Sequence, residues 1–138
     1  MSEESSIIDF SDDISEAEAP EPLPVGSYPA RILAAEVKIS GKGTKYAATT
    51  FYINVDDYPA DFPVENAPDG CTIIFRRVGM EDNAQSRFGL KRFLSAIGAP
   101  MASRIDCNDW LDLEATVEVD HDEWQGVNRA QITNVSEA

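Results

Sequence analysis

Hydrophobic residues in this sequence recur at every second position in three segments and at helical spacing in one, and two further short segments are typical of strands without clear alternation. Alternation is typical of strands with one buried face, whereas spacing at i, i+3, i+4 and i+7 is typical of an amphipathic helix. The strand segments are residues 26–39, 45–55, 71–78, 110–119 and 127–135. The helical stripe, formed by Leu90, Phe93, Leu94 and Ile97, lies between the third and fourth strand segments. The sequence therefore predicts a mainly β domain with one helix.

The order of these segments predicts a topology. Asp82 or Asn83 can cap the start of the helix, and Gly98 with Pro100 ends it. A helix between the third and fourth strands is the layout of the OB-fold, a five-stranded Greek-key barrel. Its strand 2–3 face and its 1–2 and 4–5 loops bind oligonucleotides. We therefore predict an OB-fold-like domain in residues 25–138, with a long, proline-containing loop at residues 56–70.

The alternation also predicts which side chains face the core. The expected inward sets are Leu33, Ala35, Val37 and Ile39 in the first strand, Ala47, Thr49, Phe51, Ile53 and Val55 in the second, and Leu111, Leu113, Ala115, Val117 and Val119 in the fourth. Tyr46 and Tyr52 then lie on the outer face of the second strand. The third strand has apolar residues on both faces, so its outward face is left undecided. Residues 120–126 are expected to form a connection before the last strand.

Charge is distributed unevenly along the chain. The 138 residues carry 11 bases and 25 acids, a net charge of −14 at pH 7. Residues 1–24 hold eight acids and no base, and residues 105–138 hold nine acids and Arg129 as their one base. Residues 25–104, by contrast, hold ten bases and eight acids. A bound polyanion responds to the field within about a Debye length, ~8 Å at physiological salt, so the overall charge does not exclude a nucleic-acid partner.

The acidic N-terminal segment, residues 1–24, is rich in Ser, Pro and Glu. It has too little apolar surface to offset the entropy of ordering, so we predict a disordered tail. Pro20, Pro22 and Pro24 stiffen the exit from it. Three roles stay open for the tail: a solubilising arm, a docking peptide for replication or recombination proteins, and an intramolecular competitor for a basic groove.

Aromatic and basic side chains interleave in the middle of the chain. The candidates for nucleic-acid contact are Lys42, Lys45, Tyr46, Tyr52, Phe75, Arg76 and Arg77, together with Trp124 in the expected 4–5 loop. Aromatic rings stack on the bases of a single strand, and neighbouring cations contact its phosphates. Aromatic residues at a period of two are also common in protein cores, so core packing is the alternative for each ring. In an OB-like barrel the candidates converge on one surface.

No catalytic or metal-binding set emerges from the sequence. The only histidine, His121, lies between Asp120 and Asp122. Neighbours along a strand alternate faces, so these side chains cannot converge on a metal without a turn. Cys71 and Cys107 match no metal spacing and are expected to be small buried hydrophobes in a reducing compartment. We expect no enzymatic activity, no cofactor and no metal. With no long apolar run and no signal-like N-terminus, we expect a cytoplasmic protein.

Several short sequences match a known family. They are Asp9-Phe10-Ser11, Pro24-Val25-Gly26-Ser27-Tyr28, Ala34-Ala35-Glu36-Val37-Lys38, Arg92-Phe93-Leu94 with Ile97-Gly98, and Gly126-Val127-Asn128. On these residues the chain resembles a family of bacteriophage single-stranded DNA-binding proteins, formerly a domain of unknown function. The resemblance implies an OB-like fold, a role in phage DNA replication or recombination, and a location in the cytoplasm of an infected bacterium.

Two hypotheses follow. In the first, the protein binds single-stranded DNA without sequence preference. In the second, it is an acidic interaction module or a DNA mimic that acts on a basic partner protein, which its net charge favours directly. A homodimer is compatible with an open barrel edge but is not required by the sequence.

Overall fold

The computed structural model describes residues 6–16 and 21–138. Its elements are β1 (Gly26–Ile39), β2 (Lys45–Ile53), β3 (Cys71–Gly79), α1 (Ala84–Ile97), β4 (Glu114–Trp124) and β5 (Val127–Ser136), with 3₁₀ turns at Ile14–Glu16, Val55–Asp57, Val64–Asn66 and Cys107–Trp110. The strands form one sheet in the order β3-β2-β1-β4-β5, and every neighbouring pair is antiparallel. Within these residues, the prediction of a mainly β domain with one helix after the third strand is confirmed.

Strand β1 joins the two halves of the sheet. Its first half pairs with β4, where Gly26 lies opposite Val119, and its second half pairs with β2, where Ile39 lies opposite Lys45. The two outermost strands, β3 and β5, contact each other across a groove, and α1 packs against β3, β4 and β5. The sheet is therefore curled, which is consistent with a small barrel-like fold.

The core fills the inside of the curled sheet. Its buried residues include Ala47, Thr49, Phe51 and Ile53 of β2, Ala115, Val117 and Val119 of β4, and Phe93, Leu94 and Ile97 of α1. These inward positions agree with the predicted alternation and helical stripe. The helix begins after Asn83, whose side chain accepts a hydrogen bond from the Ser86 N–H, and ends at Gly98 with φ of 71°.

The predicted inward set of β1 is wrong for most of its members. Leu33, Val37 and Ile39 are exposed, and the buried residues are instead Tyr28, Ala30 and Ile32. The pairing between β1 and β2 shifts register between Ile32 and Ala34, which makes Leu33 an extra residue. A β-bulge of this kind exchanges the two faces of a strand. After the bulge, β1 also extends past Glu114, the first residue of β4, and away from the core.

The fourth strand begins and ends later than predicted. Trp110 lies in a 3₁₀ turn and is buried, whereas Leu111, expected in the core, is exposed. The expected connection at residues 120–126 is mostly strand, because β4 continues to Trp124 and pairs with β5 throughout. A two-residue turn, Gln125 and Gly126 with φ of 51° and 77°, joins the strands.

The long loop after β2 packs against the core. Phe62 is buried, and the Tyr58 ring meets it edge to face at 5.0 Å. The Tyr58 hydroxyl donates to the Ala67 carbonyl at 2.8 Å and accepts from the Cys71 thiol at 3.4 Å. Burial, followed by the Cys71 thiol, raises the pKa of Tyr58 above its usual value. These aromatic residues therefore stabilise the loop.

The predicted disordered tail falls partly outside the described residues, which omit 1–5 and 17–20. Leu23, near the end of the predicted tail, is buried in the core. Its carbonyl contacts the His121 ring at 2.8 Å, and the Pro24 carbonyl accepts from the Tyr28 hydroxyl at 2.7 Å. The chain is thus tied to β4 just before β1. Within the described residues, no helix is long and apolar enough to cross a membrane.

Candidate nucleic-acid interface

Strand β2 presents its tyrosines on the outer face of the sheet, as its alternation predicts. Tyr46 and Tyr52 are partly exposed, whereas the intervening inward residues are buried. Tyr46 lies opposite Lys38 of β1 and Gly79 of β3. Directly opposed side chains on one face of a sheet lie close enough to interact, so Lys38 joins the same outer surface.

A bulge in β3 exposes two consecutive arginines. The register between β2 and β3 shifts so that Arg76 and Arg77 together lie opposite Ala48. In a regular strand one of them would point inward. Here both are exposed, and Val78 after them is buried again. The outward face of β3, which the sequence left undecided, therefore changes at the bulge. Phe75 faces inward before the bulge, and Val78 faces inward after it.

The arginines lie between two concave surfaces. One, of about 480 Å³, brings Arg76 and Arg77 together with Lys45, Tyr46 and the turn between β1 and β2. The other, of about 400 Å³, is the groove between β3 and β5, where the same arginines are joined by Arg129. The first concavity therefore gathers four of the candidate residues, and in the second β5 supplies a cation that the sequence reasoning missed.

The cations of this surface have few carboxylate partners. Among the described residues, no carboxylate oxygen lies within 4.0 Å of the side-chain nitrogens of Lys42, Lys45, Arg76 or Arg77. Glu81, which lines the first concavity, instead accepts a hydrogen bond from the Lys45 backbone N–H at 3.0 Å. Because these four cations are exposed and not neutralised by a salt bridge, they are available to an anionic ligand.

The Tyr52 ring is packed against two neighbouring residues. The Arg31 guanidinium lies 4.9 Å from the centre of the Tyr52 ring, within the range of a cation–π contact. Arg31 also contacts Asp112 at 3.4 Å. On another side the ring lies against Gly70, which has no Cβ to keep it away. Tyr52 is thus held by its neighbours, and a base could stack on the ring face next to Arg31 only by displacing Arg31.

Gly70→Ala is expected to lower the free energy of unfolding and to move the Tyr52 ring. Gly70 has φ of +93°, which disfavours any side chain, and a methyl group there would overlap the ring. Backbone strain of this kind costs about 1–3 kcal/mol. Chemical denaturation followed by circular dichroism measures the loss. Gly41→Ala is the control, since no atom lies near its added methyl group, and equal stability of the two variants would contradict the expectation.

Phe75 lies on the inner side of β3. Its ring stacks on Phe93 of α1, with centres 6.0 Å apart and planes 17° apart. It is partly buried against the core and also lines the groove between β3 and β5. Phe75 therefore does not share the outer face of Tyr46, and its principal contact is with the helix.

Trp124 occupies the tip of the hairpin formed by β4 and β5. It is 55% exposed, and the Arg129 guanidinium lies 5.2 Å from its ring centre. Arg129 also contacts Asp122 at 3.2 Å. Trp124 does not line either concavity, but Arg129 connects it to the groove. Lys42 is likewise outside both concavities, at the tip of the exposed turn between β1 and β2.

Arg31, Lys38 and Arg129 are residues of this surface that sequence reasoning missed. Lys38 and Tyr46 stand on outward positions of neighbouring strands, so an alignment of the two strands would have indicated the pair. Arg129 enters the groove only because β3 and β5 approach each other. Among the described residues, no group of acids, cysteines and histidine is arranged to hold a metal ion.

Comparison with models of known protein families gave no match. Comparison with curated protein sequences gave no match either.

Proposed function

We propose that this protein is an OB-fold-like, non-catalytic, single-stranded DNA-binding protein with little sequence preference. The observation that carries the proposal is the surface formed by Lys45, Tyr46, Arg76 and Arg77, where cations without acidic partners surround an outward aromatic ring. This combination is typical of surfaces that bind one nucleic-acid strand. In keeping with the sequence resemblance, we propose a role in phage DNA replication or recombination in the bacterial cytoplasm.

The strand order supports the OB-like assignment within this proposal. A sheet ordered β3-β2-β1-β4-β5 whose outer strands approach each other has the neighbour relations of a five-stranded Greek-key barrel. The helix lies between β3 and β4, as in that fold. Known OB-folds bind oligonucleotides on the strand 2–3 face, which here carries Tyr46 and the two arginines.

The basic and aromatic side chains of the surface would contact different parts of a bound DNA strand. Arg76 and Arg77 would contact phosphates with their planar guanidinium groups, and Lys45 with Lys42 would add point charges near the β1–β2 turn. Tyr46 would stack on a base, a contact that contributes about 1–3 kcal/mol. Trp124 would provide a second stacking position at the far end of the groove.

Three acidic residues near this surface have partners. Glu36 contacts Lys38 at 3.2 Å, and Asp122 contacts Arg129 at 3.2 Å. Glu81 accepts its hydrogen bond from the β2 backbone. Their charges are therefore partly compensated at the surface, which reduces repulsion of a polyanion even though the whole chain has a net charge of −14.

Titration of labelled oligo(dT) at several salt concentrations tests the proposal. We expect saturable binding whose affinity falls as salt rises, because phosphate contacts release counterions. With a slope of about −0.7 per phosphate contact on single strands, contact by four cations predicts a logarithmic slope of roughly −3. Fluorescence anisotropy gives the affinity at each salt concentration.

Absence of saturable binding at low salt would contradict the proposal and favour the second candidate function, an acidic interaction module or DNA mimic. This second function is favoured by residues 1–24, which hold eight acids and no base. Capture of a basic phage or host protein that is lost on deletion of residues 1–24 would then support it. Tighter oligo(dT) binding after the same deletion would instead indicate that the tail competes for the surface.

A further inference from the structure

The second half of β1 has a free backbone edge. Pairing of β1 with β4 ends at Arg31, and Ile32 makes the last backbone contacts on that side, with Asp112 and Leu113. From Ala34 to Ile39, β1 pairs with β2 alone. Within the described residues, no other strand lies along this side of β1. An unpaired edge of this length is a template for pairing with another strand.

The pairing at the end of the hairpin shows which groups point to the free side. Lys45 directs its backbone toward β3, where its carbonyl accepts from Met80 and its N–H donates to Glu81. Ile39, which lies opposite Lys45, therefore does not exchange hydrogen bonds with it and directs its own N–H and C=O to the free side. By alternation, Val37 and Ala35 do the same. Three residues thus present six backbone groups at this edge.

The side chains along this edge combine apolar groups with a balanced pair of charges. Val37 and Ile39 are 49% and 68% exposed on one face. On the other face Glu36 contacts Lys38, which offsets the lysine charge that would otherwise discourage strand addition. The edge is therefore apolar on one face and neutral on the other.

We propose that this edge pairs with the same edge of a second copy of the chain, in an antiparallel arrangement with the two-fold axis at Val37. Edge-directed residues must pair with edge-directed residues, and at least two of the three do so only when the axis falls on Glu36, Val37 or Lys38. The axis at Glu36 or at Lys38 would place like charges opposite each other. The axis at Val37 places Glu36 opposite Lys38 of the second copy, and the reverse.

This register also pairs the backbone N–H and C=O groups of the edge-directed residues. Val37 pairs with its own equivalent, and Ala35 pairs with Ile39 of the second copy, so all six edge-directed groups of each chain form hydrogen bonds. The charged pairs fall at the closely spaced positions where side chains interact most strongly. The product is a continuous six-stranded sheet, β3-β2-β1 and its symmetry mate, with an outer surface that carries Tyr46 from both chains. The proposal does not depend on DNA binding.

Charge exchange across the edge tests the register. Lys38→Glu and Glu36→Lys each place like charges opposite each other twice, and the double variant Glu36→Lys/Lys38→Glu restores opposite charges. We expect the natural chain to sediment as a dimer and each single variant to raise the dimer dissociation constant about tenfold or more, with recovery in the double variant. Sedimentation equilibrium over an about hundredfold concentration range measures this.

A natural chain that is monomeric throughout overturns the proposal, as does a dimer that is unaffected by the single variants or not restored by the double variant. A chain that is monomeric, and that forms a dimer only after deletion of residues 1–24, would indicate that the tail occupies the edge of β1. This result would also overturn the proposal. All of these outcomes are independent of oligo(dT) affinity, so failure here is distinct from failure of the proposed function.

Cross-linking provides a second measurement. In the proposed register the Val37 Cα atoms are about 5.5 Å apart, within the range of a disulfide. Val37→Cys, treated with a mild thiol oxidant that accepts the two electrons, is expected to give a covalent dimer. Val127→Cys is the matched control, since Val127 is 40% exposed at the start of β5, away from this edge. Equal cross-linking of both variants, or of neither, contradicts the register.

Discussion

Replacing Arg76 and Arg77 together by glutamate is expected to weaken oligo(dT) binding by about a hundredfold or more at physiological salt. The bulge in β3 exposes both guanidinium groups, and both line the two concavities of the candidate surface. A hydrogen bond to a charged group contributes about 1.5–3 kcal/mol, so losing two removes at least two orders of magnitude in affinity. Fluorescence anisotropy with labelled oligo(dT) measures the change.

A matched variant separates a local effect from one of net charge. Arg87→Glu/Arg104→Glu changes the net charge by the same amount at exposed positions on α1 and in the loop after it. Arg87 contacts Asp82 and neither residue lines the concavities next to β3. We expect this variant to retain most of its affinity. Equal losses in both double variants would show that binding depends on total charge and would remove the basis for a defined surface.

The second strand shows where sequence reasoning is strongest. Four of its inward residues, Ala47, Thr49, Phe51 and Ile53, were predicted correctly because β2 is flanked on both sides and has one buried face, so a shift by one residue would expose the whole apolar set. The prediction was wrong for Val55, which lies in a 3₁₀ turn after the end of β2 and is only half-buried. The same pattern identifies Tyr46 and Tyr52 as outward. The contacts of Tyr52 were not predictable, because Arg31 and Gly70 come from distant parts of the chain.

Bulges limit such reasoning in the neighbouring strands. An extra residue at Leu33 exchanges the faces of β1, and a second bulge exposes both Arg76 and Arg77. A bulge is a property of two paired strands, so the alternation within one strand does not reveal it. The sequence therefore identified Arg76 and Arg77 as candidate binding residues, but it did not predict that both are exposed.

The last hairpin was mispredicted for a different reason. Residues 120–124 are mostly polar and lack the apolar alternation that indicates a strand. They form one because each pairs with a residue of β5, as Asp122 does with Arg129. The extension carries Trp124 to the tip, where it contacts Arg129. Pairing with a neighbouring strand here prevails over local composition.

Trp110→Ala is expected to lower the free energy of unfolding by about 3–5 kcal/mol, the range for removing a large aromatic side chain from a core. Trp110 is 1% exposed, and its ring meets Phe93 edge to face at 5.4 Å. Since Phe93 in turn stacks on Phe75, the three rings connect the turn before β4 to α1 and β3. Small domains have a total stability of about 5–15 kcal/mol, so this loss removes a large part of it.

Trp124→Ala tests whether the exposed tryptophan, unlike Trp110, affects DNA binding more than stability. Trp124 is exposed, and its ring contacts Arg129 of its own hairpin, so its removal is expected to change the unfolding free energy by less than about 1 kcal/mol. Oligo(dT) affinity, however, should fall by about fivefold or more if the ring stacks on a base. Urea denaturation followed by circular dichroism and oligo(dT) titration of the folded variants measure the two quantities. Similar stability losses in both variants would contradict the different roles expected of the two tryptophans, one in the core and one at the candidate surface.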